Sequence, residues 1–83
     1  MPEQTPQVDI ARQYRDTMDS VHLIERMVDP DNKNHGVSEE DFKDTIKRNV
    51  EHLQIMAGKD FFTKEQVAEF QAGIKKGNDY LAK

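Results

Sequence analysis

"DPDNKNHGVSEEDF", residues 29–42, decides how the rest of the chain is read. Acids and amides crowd ahead of an apolar residue. The stretch is therefore either a calcium loop or a turn that ends one helix and caps the next. An EF-hand loop needs oxygen ligands at its first, third and fifth positions, glycine at the sixth and a bidentate Glu at the last. Begun at Asp29, the loop has Asp29, Asp31 and Glu40 in ligand positions, but Lys33 falls at the fifth, Asn34 at the sixth and Gly36 too late. Begun at Asp31, it gains Gly36 and loses its ligands to Lys33, His35 and Phe42. With Val37 at the usual apolar position, Pro30 becomes the first ligand and His35 the turn residue.

A lysine ammonium beside a divalent cation is a direct Coulomb penalty. No register meets the geometry, and the turn reading accounts for the same residues. Asp29-Pro30 stops a helix, because proline biases its predecessor away from helical dihedrals. Asn34-His35-Gly36 makes the bend, and Ser38 caps the next helix with acids behind it near the positive pole.

Working backwards from Pro30, residues Ile10, Tyr14, Met18, Val21, Ile24 and Val28 share one face at about 100° per residue. That pattern predicts a first helix over 7–28, with Thr5-Pro6 as its N-cap and first helical position and residues 1–6 as a frayed tail. Working forwards, Ser38 and Asp41 stand at capping-box spacing, and Val37 and Phe42 at hydrophobic-staple spacing. Phe42, Ile46, Val50, Leu53 and Met56 then form one stripe, and Gly58 suits a left-handed residue past the helix end, giving a second helix over 38–57.

The same entry chemistry recurs at Thr63 and Gln66, with Phe62 and Val67 as the staple. Val67, Phe70, Ile74 and Leu81 continue a third helix over 63–82. Lys75, Lys76 and Gly77 resemble a helix end, so a break near Gly77 is the alternative to a continuous run. Where the helix does run on, Gly73 and Gly77 each cost about 1 kcal/mol relative to Ala, and close packing is the compensation. No segment alternates with period two. The expectation is an all-α, small three-helix bundle forming a single domain over 7–83.

Composition narrows function mainly by exclusion. The chain has 83 residues, 35% hydrophobic and 34% charged, with no cysteine and a net charge of −4. One domain of this size buries about 60–65% of its unfolded surface and is stable by single digits of kcal/mol. The lack of cysteine removes disulfides, thiolate nucleophiles and Cys-based zinc sites, and it suits a reducing compartment. Apolar runs such as Leu23-Ile24 and Phe61-Phe62 are too short for a membrane span or a signal-peptide core. A soluble, cytoplasmic protein is expected.

The excess negative charge sits in one place. Asp29, Asp31, Glu39, Glu40, Asp41 and Asp44 face only Lys33 and Lys43, while the remainder of the chain holds ten acids and ten bases. Binding to nucleic acid through a broad basic face is disfavoured. His22, His35 and His52 fall on separate segments without metal-ligand spacing, so no metal or other cofactor is expected. Ser38 is explained as a cap, and Gly36, Gly58, Gly73 and Gly77 are too scattered for a phosphate cradle. Neither an enzyme activity nor a small-molecule substrate is expected of so small a bundle.

What the three stripes leave over is a second set of apolar residues. Leu23 and Met27 lie about 100–140° from the main face of the first helix and are i, i+4 neighbours. Ile55 points nearly opposite Val50, and Phe61 lies in a loop beside Phe62. Two readings stand for this set. Either the other helices cover Leu23 and Met27, or Leu23, Met27, Ile55 and Phe61 form an exposed patch for a protein partner or a second copy of the chain. The expected function is thus a non-catalytic helical interaction module. An acidic effector whose 29–44 segment binds a basic protein surface is the alternative, and weak divalent-cation binding at the degenerate loop is a third.

Overall fold

Asp9 sets where the first helix begins. Its carboxylate accepts a hydrogen bond from the Arg12 backbone N–H at 3.0 Å, while its own backbone is extended. The helix α1 then runs Ile10–Val28. The structure, a computed structural model, describes residues 9–32 and 36–83. The start expected at residue 7 is therefore corrected to Ile10, and the Thr5-Pro6 cap lies outside the described residues. An aspartate is as good an N-cap as a threonine, and a one-carboxylate cap has no proline to advertise it.

At the other end of α1 the proline rule holds. Asp29 is extended (φ −62°, ψ 126°), as the residue before Pro30 must be, and its N–H reaches back to the Arg26 carbonyl. The Asp29 side chain accepts from the Asp31 N–H at 2.9 Å, and the Asp29 carbonyl accepts from the Asn32 N–H at 2.9 Å. Side chain and backbone of one residue thus fold the chain into a turn straight after the helix. Beyond it Gly36 takes φ +88°, a left-handed conformation that glycine adopts without a Cβ clash.

The second helix, α2, spans Glu39–Ala57 and the third, α3, Lys64–Leu81. Thr63 and Gln66 complete a reciprocal capping box: the Gln66 N–H donates to Thr63 Oγ1 at 3.1 Å and the Thr63 N–H donates to Gln66 Oε1 at 3.0 Å. At α2 the Asp41 N–H donates to Ser38 Oγ at 3.1 Å, and that forward bond stands alone. Asp is one methylene shorter than Glu or Gln, which is the physical difference between the two boxes. Gly58 departs from expectation. It is right-handed (φ −84°, ψ −5°), and α2 closes by tightening its last turn, with Gly58 N–H to the Ile55 carbonyl and Lys59 N–H to that of Met56, both at 3.1 Å.

The helices pack pairwise, each touching the other two, so the fold is an all-α three-helix bundle. Every residue of the α2 stripe is buried: Phe42, Ile46, Val50, Leu53 and Met56. From α1 come Val21 and Ile24, with Tyr14, Met18 and Val28 half-buried beside them; Ile10, placed on the same face by its spacing, stays 40% exposed beyond them. Thr17 is fully buried, an unexpected core residue. Its hydroxyl donates to the Gln13 carbonyl at 2.6 Å, which satisfies the polar group locally and leaves the methyl for packing.

The third helix differs most from its expected stripe. Phe70, Gly73 and Gly77 form its buried line, and Val67, Ile74 and Leu81 flank it half-buried. α3 continues without a break through Gly77, because both glycines are where its backbone meets the other helices. A Cβ at Gly73 would come within 3.1 Å of Leu53 Cδ1 and 3.2 Å of Val21 Cγ2. One at Gly77 would collide with Val50 Cγ2 and approach Ile46 and Ile24.

These contacts fix direction as well as distance. Going up α3 from Gly73 to Gly77 means going up α1 from Val21 to Ile24 and down α2 from Leu53 to Val50 and Ile46. α1 and α3 therefore run parallel, with α2 against both. Rings close the two ends: Phe42 lies 5.8 Å from Tyr80 at one, while Phe70 lies 6.1 Å from Tyr14 and 4.9 Å from Phe62 at the other.

Candidate interaction surface

The same packing separates the four apolar residues left over by the stripes. Met27 and Phe61 are half-buried and pack against the core, and the Phe61 ring sits 4.7 Å from that of Phe62. Leu23 is half-buried on α1. Ile55 is open, at 62% exposure. Ile55 is thus the most exposed of the four, while Leu23, Met27 and Phe61 each keep part of their surface open.

Ile55 faces outward for a reason written into α2. The buried row Phe42, Ile46, Val50, Leu53 and Met56 occupies one side of the helix, and two residues beyond Leu53 is about 200° around it. One turn before Ile55 stand exposed Glu51 and half-buried His52, and exposed Gly58 and Lys59 follow. An aliphatic side chain is thus set in a polar and charged surface on α2. Val37 and Ile10 are the other large exposed apolar residues among those described, at 50% and 40%. Their spacing marked them as staple and stripe, and spacing alone does not tell how far each is covered.

The acidic residues all lie at the end of the bundle where α1 stops and α2 starts. Asp29, Asp31, Glu39, Glu40, Asp41 and Asp44 are exposed. Several are engaged locally. Asp29 holds the turn through Asp31, Glu39 pairs with Lys43 at 3.3 Å, and Asp44 pairs with Arg48 at 3.0 Å. Glu39, Glu40 and Asp41 occupy the first turn of α2, where the helix dipole favours them. Phe42, which the Asp31 register of a calcium loop would use as its bidentate ligand, is buried in the core. Lys33, Asn34 and His35 lie outside the described residues. Of the other histidines, His22 is exposed on α1 and His52 half-buried on α2. Among the described residues no group of three or more His, Cys, Asp or Glu side chains is placed to hold a metal ion.

Interhelical polar contacts follow a different map from the apolar ones. Among the described residues two side-chain pairs tie one helix to another, and both join α1 to α3. Tyr14 donates to Glu69 at 2.6 Å, and Lys76 donates to Glu25 at 2.9 Å. The ion pairs of α2 are internal, i to i+4. The hydrogen bond to Glu69 holds the Tyr14 hydroxyl above its ordinary pKa, with desolvation and the carboxylate's charge acting in the same direction. The pair is a structural clasp. Its proton is bound more firmly than in water, the opposite of what a general base near neutral pH requires.

No helix among the described residues is long and apolar enough to cross a membrane. Comparison with protein-family models, with curated proteins and with solved structures finds no match to this chain.

Proposed function

We propose that this chain is a non-catalytic helical interaction module that docks a protein partner, or a second copy of itself, through the outward face of α2. The observation that carries the reading is Ile55: a large aliphatic side chain, 62% exposed, opposite a row of five buried residues that α2 already devotes to the core. Ile55 lies off the buried row of α2, where binary patterning of a helix places a polar residue. Charged and polar residues around a single apolar anchor match the way interfaces are built, with a desolvated centre and a polar rim.

The test is mass by light scattering over a concentration series near neutral pH, with Ile55→Asp as the comparison. Association that grows with concentration in the wild type and is lost in the variant, with helical content unchanged, supports self-docking through α2. A wild type that stays at 9.6 kDa throughout turns the reading toward a different protein. Association that Ile55→Asp leaves intact removes α2's outer face from consideration.

A second reading rests on charge. Six exposed acids cluster at one end of the bundle, where the negative pole of α1 adds to their field and the positive pole of α2 offsets part of it. On this reading the segment 29–44 engages a basic protein surface. Such binding weakens steeply with salt, whereas docking through Ile55 does not, so an affinity measured at low and high ionic strength separates the two.

A further inference from the structure

We draw no further inference here: the strongest candidate, the outward surface patch around Ile55 on α2, already carries the proposed function, and nothing in the structure shows what covers it.

Discussion

The two faces of α2 obey opposite rules. Its inner face is five apolar residues in an unbroken row, pressed against a helix whose glycines have cleared side chains out of the way. Its outer face is charge paired with charge along the same helix, interrupted by Ile55. The inner face is where sequence change meets backbone and packed side chains. The outer face is where it meets water. If that division is right, mutations on the two sides of one helix will sort into those that change stability and those that change association.

The largest effect expected is from Leu53→Ala, which empties a fully buried position against Gly73 and Val21. Leu→Ala changes in cores cost about 2–5 kcal/mol, a large part of the whole stability of a domain this small. Urea denaturation followed by circular dichroism reads it; a loss below about 1 kcal/mol would put Leu53 outside the core and break the comparison.

Next comes Gly77→Ala. Helix propensity alone favours the alanine by about 1 kcal/mol. The collision with Val50 Cγ2 works against it, and overpacking of this kind costs about 1–3 kcal/mol. We expect net destabilisation, relieved when Val50→Ala is added, so that the double variant is more stable than the sum of the two singles predicts. Strict additivity would mean that α3 moves away without resistance.

A smaller effect belongs to the polar seam between α1 and α3. The folded state raises the Tyr14 pKa above its ordinary value of 10.0, so the clasp contributes fully below that value. Its contribution is lost as pH rises through the higher folded value. The difference in urea midpoint between wild type and Tyr14→Phe is therefore expected to be constant from pH 7 to about 9.5 and to shrink above about 10. A difference that does not change across that range would show that the Tyr14 hydroxyl bond to Glu69 adds nothing in solution.

The smallest effect on stability is expected where the proposed function lies. Ile55→Asp should change the denaturation midpoint by no more than an equivalent of about 0.5 kcal/mol, as exposed substitutions do. Loss of helical content in that variant would place Ile55 among the supports of the fold and erase the distinction between the faces.

Legibility in the sequence follows the same division. The α2 row could be read residue by residue, because every member is apolar and the spacing has no gap. Ile55 could be read as the exception for the same reason. Thr17, Gly73 and Gly77 are core positions that hydrophobic patterning passes over: the first is polar by type, and the others bury backbone instead of side chain. Their signal was positional, since Thr17 continues the spacing of Val21, Ile24 and Val28 by one turn, and the glycines continue that of Phe70. Met27 and Phe61 show a second limit. Periodicity gives a direction around one helix axis, and only tertiary packing tells which neighbour lies in that direction. The caps divide similarly, with Ser38 and Thr63 announced by their partners three residues on, and Asp9 announced by nothing but its own carboxylate.

The distribution of polar ties among the helices also has a thermal side. α1 and α3 add two exposed polar pairs to their apolar packing, whereas the described contacts that hold α2 to them are apolar. Apolar burial loses strength on cooling, while hydrogen bonds and ion pairs do not share that decline. The bundle should therefore loosen unevenly near 0 °C, with amide protons of α2 gaining exchange rate relative to those of α1 and α3 once the intrinsic temperature dependence is removed.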